Sequence, residues 1–184
     1  YNEYGQLGDS STTNTSEFVQ VTGIPEKVIE ITAGGHSSYA LTESGKVYGW
    51  GYNYYGQLGI GNNNDQTTPV KMQKVSNIIQ ISAGDSYITM LDANGSVWNV
   101  GYNGNGQLGL GDTTNRTEPT KVDIENVIDI TAGNQYTAIL KKDGTVWTTG
   151  YNGYGQLGTG TTQSETEFKQ VTGIPEKVIA ITAN

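Results

Sequence analysis

The chain has 184 residues, 34% hydrophobic and 15% charged, with ten basic against eighteen acidic residues and a net charge of −8. That length fits one ordinary domain, and the acidic balance, with no basic run, argues against nucleic acid and against anionic membrane surfaces as partners. The absence of cysteine excludes disulfides, thiolate metal sites and a cysteine nucleophile, and no apolar run approaches the roughly 18–20 residues that span a bilayer.

The chain opens on Tyr1-Asn2-Glu3-Tyr4-Gly5-Gln6-Leu7-Gly8. The pattern Tyr-Asn-x-x-Gly-Gln-Leu-Gly returns at 52–59, 102–109 and 151–158, at intervals of 51, 50 and 49 residues. A fixed period of this size marks a propeller, solenoid or array. Because the chain begins inside a motif, its natural start is expected to lie upstream, and no signal peptide is visible. Polar but weakly charged composition suits an exported protein, so the expected location is extracellular or at a bacterial cell surface.

The unit at residues 52–101 shows the order of elements. After the box come Ile60-Gly61, a polar loop at 62–68 and Pro69. Residues 70–75 read as a short alternating strand, and 78–82 as another with Ile79 and Ile81 on one face. Ala83-Gly84-Asp85 is a turn, and 87–91 is the third strand. Asp92-Ala93-Asn94-Gly95 is a second turn; its Asn-Gly end signals a hairpin because both residues tolerate positive φ. A fourth strand at 96–100 precedes Gly101. Four short strands without helical periodicity predict one four-stranded antiparallel sheet per unit.

The other units align. Residues 28–32, 127–131 and 178–182 match the strand at 78–82, and hairpin glycines recur at Gly45, Gly95 and Gly144. Val47, Val97 and Val146 follow them at positions that period-2 patterning assigns to the layer between sheets. The chain is thus read as a single segment, 1–184, with repeats at 1–51, 52–101, 102–150 and an incomplete 151–184. Residues 17–34 and 167–184 match at 15 of 18 positions, 150 residues apart. The sterics common to all units do not explain this echo. It predicts duplication of a three-unit block and a longer parent array.

Taken together, the box at 51–61, 101–111 and 150–160, the following Pro and the Val-x-x-Ile strand with Ala-Gly resemble the regulator of chromosome condensation repeat. The resemblance covers the whole chain. It implies an all-β propeller, here about three and two-thirds repeats, part or half of a seven-bladed ring in which repeats interlock adjacent blades. Members of that family include a nuclear guanine-nucleotide exchange factor that binds chromatin, light sensors, ubiquitin-ligase modules and a secreted bacterial β-lactamase inhibitor. The acidic charge sets this chain apart from the chromatin binder, and its style is nearest the secreted bacterial members.

Within the boxes, Gly5, Gly8, Gly56, Gly59, Gly106, Gly109, Gly155 and Gly158 are expected to supply positive φ between blades. Gln6, Gln57, Gln107 and Gln156 are expected to satisfy buried backbone, and Leu7, Leu58, Leu108 and Leu157 to fill the core. The box lacks the lysine and following helix of a phosphate loop. His36, the sole histidine, occupies the slot of Ser86 and Gln135 and is read as a partner for turn backbone. The loops at 9–17, 62–68, 112–118 and 161–167 are oxygen-rich but lack the calcium-loop pattern. Carboxylate pairs such as Glu165 with Glu167 carry no catalytic signature.

Candidate partner contacts are Tyr4, Tyr54, Tyr55 and Tyr154 in the boxes and Tyr39, Tyr87 and Tyr136 near the Ala-Gly turns, since tyrosine gives large contact area at low entropy cost. The expectation is a non-enzymatic extracellular binding module for a protein or glycan, with no cofactor, metal, nucleic acid or membrane insertion, and with self-association completing the ring. The resemblance also implies two alternatives, an inhibitor of a secreted enzyme such as a β-lactamase and a regulator of a small GTPase.

Overall fold

The computed structural model describes residues 1–183. Twelve strands form three four-stranded antiparallel sheets, and each sheet is a meander in chain order. The first blade holds β1 (Val28–Ala33), β2 (Ser37–Thr42), β3 (Val47–Gly51) and β4 (Gln66–Lys71). The second holds β5 (Ile78–Ala83), β6 (Tyr87–Asp92), β7 (Val97–Gly101) and β8 (Arg116–Lys121). The third holds β9 (Val127–Ala132), β10 (Tyr136–Lys141), β11 (Val146–Gly150) and β12 (Glu165–Gln170).

The strands of one sequence unit are therefore divided between two sheets. Residues 52–101 contain β4, which closes the first blade, and β5–β7, which open the second. The boxes at 52–59, 102–109 and 151–158 sit between a third and a fourth strand, so a unit ties neighbouring blades together. The strand expected at 70–75 runs instead from Gln66 to Lys71, so that it starts within the stretch expected as a polar loop and includes Pro69; beyond it Met72 is buried and its N–H donates to Val47 O at 2.8 Å.

The hairpins also differ in detail. Gly95 takes φ +79, while Asn94 has no positive φ. Gly95 N–H donates to the Asp92 carbonyl at 3.0 Å and Asp92 N–H to Ser96 O at 3.0 Å. Only one left-handed residue is needed in such a longer loop, and glycine supplies it.

Adjacent blades meet through their first strands. β1 packs on β5 and β5 on β9, whereas the fourth strands make no comparable approach. The sheets therefore splay outward from an axis lined by the Ala-Gly turns. The core fills the wedges between blades. Tyr39, Leu41 and Val47 of the first blade meet Ile78, Ile88 and Met90 of the second across Leu58. Leu91 and Val97 face Val127, Ile130 and Phe168 in the next wedge.

Polar latches reinforce each joint. Thr32 Oγ1 accepts Ala83 N–H at 3.2 Å, and Ser82 Oγ accepts Ala132 N–H at 2.9 Å. Glu30 and Gln80 make the matching bonds to Ile81 N–H and Ile130 N–H, at 3.3 and 3.2 Å. These acceptors satisfy first-strand donors that would otherwise be lost to water.

Residues 178–182 do not form the expected strand. A strand needs a neighbour to receive its ladder bonds, and no second strand follows among the described residues. The segment nonetheless occupies the first-strand position of a further blade. Val178 N–H donates to Gly144 O at 3.2 Å, as Val127 N–H does to Gly95 O at 3.4 Å. Asp129 Oδ2 and Thr131 Oγ1 accept from Ile181 and Ala183 N–H, at 3.3 and 3.0 Å.

Candidate functional site

Antiparallel meanders send alternate connections to opposite ends. The Ala-Gly turns and the boxes both lie at one end of the array, and the β2–β3, β6–β7 and β10–β11 hairpins at the other.

Each box is a rigid loop. Its asparagine, in a role that the sequence reading did not single out, is the centre. Asn2, Asn53, Asn103 and Asn152 are fully buried. Their Oδ1 atoms accept the N–H of Leu7, Leu58, Leu108 and Leu157 at 2.8–2.9 Å. Their amide nitrogens bind loop carbonyls such as Asn62 O and Thr161 O, both at 2.9 Å. The recurrence of this asparagine in all four copies was the available signal. Gln6, Gln57, Gln107 and Gln156 accept the N–H two residues upstream at 3.0–3.1 Å. Leu58, Leu108 and Leu157 are fully buried, and Leu7 is half-buried.

This framework fixes six tyrosines in a ladder. Tyr4 of the first box rests on Tyr52 of the second, ring centroids 4.7 Å apart, and Tyr55 of the second rests on Tyr102 of the third at 4.8 Å. Tyr54 stacks on Tyr52 at 6.2 Å and 12°. Tyr1 packs edge-on to Tyr4. The His36 ring fits among Tyr1, Tyr4 and Tyr52 at 5.5, 5.2 and 6.3 Å, so it joins the aromatic surface, while its backbone carbonyl accepts Tyr52 N–H. The ladder stops at Asn105, which replaces the stacking tyrosine and binds Gln135 Oε1 at 2.8 Å. Tyr151 and Tyr154 form a separate pair.

The proposed contact tyrosines thus divide. Tyr54 and Tyr154 are strongly exposed, at 65% and 89%, and Tyr4, Tyr55 and Tyr136 are half-buried. Tyr39 and Tyr87 are 1% exposed and cannot touch a partner. The Tyr39 hydroxyl donates to Gln57 O at 3.1 Å and the Tyr87 hydroxyl to Gly133 O at 3.2 Å. Strand phase points both rings between blades, and burial pushes both phenols well above their ordinary pKa.

Lysines, though not carboxylates, are segregated along the same axis. Glu3, Asp65 and Asp85 stand on the box end, and the Tyr1 hydroxyl donates to Glu3. That bond, with burial and the charge of Glu3 adding, pushes the Tyr1 phenol up to about 12. Burial raises Tyr52, and the neighbouring tyrosines and Asp65 add to it. The sole arginine, Arg116, is held by Asp112 through two bonds of 3.2 and 2.7 Å. Lysines gather at the hairpin end. Lys27 O accepts Glu43 N–H beside the first hairpin, Lys74 in the β4–β5 link reaches Glu118, and Lys142 N–H bonds Asn126 O.

The oxygen-rich loops turn inward. Asn14, Asp65 and Asn115 accept the N–H of Asn2, Asn53 and Asn103 at 2.6–2.9 Å. Among the described residues no group of three or more His, Cys, Asp and Glu could hold a metal ion.

Comparison with known proteins agrees with this architecture. The regulator of chromosome condensation (RCC1) repeat matches residues 44–91, 94–140 and 143–183, and a second description of the same repeat matches 28–57 and 127–156. The ultraviolet-B receptor UVR8 of Arabidopsis thaliana is 38% identical over 74 residues, covering 40% of this chain and 17% of the receptor. Among solved structures, human WBSCR16 superposes with a TM-score of 0.81 at 24% identity, over 92% of this chain and 45% of its own. Prp20p from Saccharomyces cerevisiae, described with its binding to Gsp1p and histones, gives 0.76 at 19% identity over 85% and 41%. The chain therefore spans a fifth or less of the curated relative and under half of the solved propellers.

Proposed function

The chain belongs to the regulator of chromosome condensation repeat family, and from that membership we propose that it is a non-enzymatic interaction module whose box end engages a protein partner. The observation that carries this reading is the tyrosine ladder. Six rings are concentrated on loops held by buried asparagines, so an aromatic surface is presented with little ordering left to do on binding. The weakly charged composition supports an extracellular setting.

Site-directed photocrosslinking tests the assignment of the face. A benzophenone residue at position 54 is expected to capture a partner that the same residue at position 142, on the hairpin end, does not. Equal capture from both positions removes the box end as the binding face.

A second reading has its own observation. Phe18 is fully exposed and Ile31 is 76% exposed on the uncovered side of the first blade, while Phe168, the counterpart of Phe18 in the 150-residue echo, is 9% exposed and packs in the last wedge. We propose that another blade of the same kind covers Phe18, completing the ring, and that a second copy can supply it. Light scattering across a concentration series tests self-association: a monomer at all concentrations refutes the second copy.

A further inference from the structure

We propose that the box end binds a cationic, Lys- or Arg-bearing polypeptide segment laid across the tyrosine ladder. The inference deepens the interaction-module reading and rests on it. Its ground is the coincidence of two independent distributions, aromatic and charged, on one end of the fold.

The first distribution is the ladder. Its rings present π-faces and edges in tilted and T-shaped pairs at 4.7–6.4 Å. Tyr54 and Tyr1 are its most open members, at 65% and 59% exposure. A cation within about 6 Å of such a ring is attracted by its quadrupole.

The second distribution is charge. All nine lysines are placed away from the ladder by the meander. Lys46 follows the hairpin glycine of the first blade, Lys71 and Lys121 close β4 and β8, Lys141 closes β10, and Lys177 lies against Gly144 of the last hairpin. Among the described residues, the one lysine or arginine side chain on the box end, Arg116, is already paired with Asp112. The aromatic surface is therefore flanked by Glu3, Asp65 and Asp85, with no unpaired lysine or arginine side chain beside them among the described residues. The hairpin end mixes its lysines with carboxylates, as in the Lys27–Glu43 and Lys46–Glu26 pairs, whereas the box end, among the described residues, has carboxylates without lysines.

Charge complementarity then selects among occupants. An anionic strand or an acidic protein surface is repelled from this end. A neutral glycan could stack on tyrosines, but it gains nothing from the carboxylates. A cationic segment uses both features: its methylenes lie along the rings, its charged heads meet π-faces, and its approach is steered by the acidic field. The individual lysines of a second copy offer the same chemistry, and the test separates that occupant.

The probes are a fluorescent Lys/Arg-Gly peptide, its Glu-substituted counterpart and a neutral oligosaccharide, titrated against the full chain by anisotropy or calorimetry. The cationic peptide is expected to bind, to weaken steeply with added salt, and to leave the Glu peptide without measurable binding. Tyr54→Leu and Tyr1→Leu each lose about two- to five-fold in affinity, the range for an exposed cation–π contact, while Tyr54→Phe keeps it. Glu3→Gln and Asp65→Asn reduce the salt dependence; Asp65→Asn retains the oxygen that accepts Asn53 N–H. Thermal melts confirm that each variant is folded.

No binding of the cationic peptide, equal binding of the Glu peptide, or affinity indifferent to salt and to Tyr54→Leu overturns the proposal. Oligosaccharide binding that Tyr54→Leu abolishes also overturns it, while leaving the box end as the binding face. Self-association that the tyrosine variants abolish would assign the ladder to a second copy instead and end the proposal too.

Discussion

Four glycines in one conformation, three of them pressed against a neighbouring blade, separate backbone geometry from packing. Gly5, Gly56, Gly106 and Gly155 take φ of +79, +78, +81 and +79. A Cβ on Gly5 or Gly56 would lie 2.6 Å from the Cα of Thr67 or Thr117, and one on Gly106 would lie 2.6 Å from Glu165 O. A Cβ on Gly155 meets nothing within 4 Å. Alanine at any of the four carries a left-handed penalty of about 1–2 kcal/mol, partly offset by about 0.4–1 kcal/mol from a less flexible unfolded chain. Gly155→Ala should therefore cost only about 1 kcal/mol. At Gly106 the obstructing atoms are backbone and cannot rotate away, so a further 1–3 kcal/mol, roughly, is added by overpacking. Gly106→Ala and Gly155→Ala are the cleanest pair, because both boxes flank the third blade. Urea titrations followed by the fluorescence of Trp50, Trp98 and Trp147, one in each blade, would measure the gap in a dilute, monomeric sample. Equal losses in the two variants would refute the view that box glycines lock blade to blade and leave only a turn requirement. A gap that closes as protein concentration rises would show that a second molecule has reached Gly155.

Phe168→Ala should cost about 3–5 kcal/mol, because its buried ring fills the last wedge. Phe18→Ala should stay within about 0.5 kcal/mol in the monomer; a similar loss in both, measured by denaturation, would mean that Phe18 is covered. Ser82→Ala removes the acceptor of Ala132 N–H, so a loss of about 1–3 kcal/mol and faster hydrogen exchange at Ala132 are expected; unchanged exchange would rule out the latch. Asp92 is a carboxylate for which burial opposes the charge, but bonds from Trp98 Nε1 and from the N–H of Ser96 and Asn94, at 2.9–3.0 Å, outweigh it and hold its pKa below the ordinary value. The stabilisation it gives is present above the unfolded carboxyl value near 4 and is lost as pH falls through the lower folded value. Asp92→Asn should flatten that acid limb of the urea midpoint; an unchanged limb would assign the pH dependence to other carboxylates.

Much of this fold was legible because its determinants are local. Gly95 and its equivalents mark hairpins through one left-handed residue, and the run at 97–100, rich in β-branched and aromatic residues and bounded by Gly95 and Gly101, gives a strand whatever lies beside it. The grouping of strands was less accessible. A unit of four strands has several possible phases, and composition does not say whether β4 pairs with β3 before it or β5 after it. The box decides, by holding residues 52–59 as a compact loop, so that β4 can return to β3. The stretch at 178–182 shows the limit from the other side. Its apolar pattern follows that of β1, yet pairing is a property of two strands, and it is held by the latches from Asp129 and Thr131 and by the bond from Val178 N–H to Gly144 O. Those latches were themselves illegible. Glu30, Gln80 and Asp129 are polar residues between apolar ones, and only the wedge geometry turns them toward the backbone of the next first-strand segment.

The candidate site was half legible, for a related reason. Tyr39 and Tyr87 share the chemistry of Tyr54, and it is strand phase and a waiting carbonyl that bury them. The box tyrosines could be named from sequence, but not joined: Tyr4 and Tyr52 lie 48 residues apart by number and 4.7 Å apart by ring centroid. What the geometry adds is a division of labour inside the motif. The Asn, Gly, Gln and Leu positions are tied to hydrogen bonds, left-handed backbone or close contacts, so each is fixed by the loop and its packing. The two intervening positions are not, and they vary from Glu3-Tyr4 through Tyr54-Tyr55 to Gly104-Asn105 and Gly153-Tyr154. Replacing Tyr55 with its counterpart Asn105 ends the ladder without disturbing the loop, since Asn105 N–H still reaches its glutamine at 3.0 Å. A surface composed on those two positions can change from blade to blade while the array beneath it stays the same. That is the physical condition under which one repeat can serve many partners, and it is why recognition in this chain has to be sought in the exceptions to its motif.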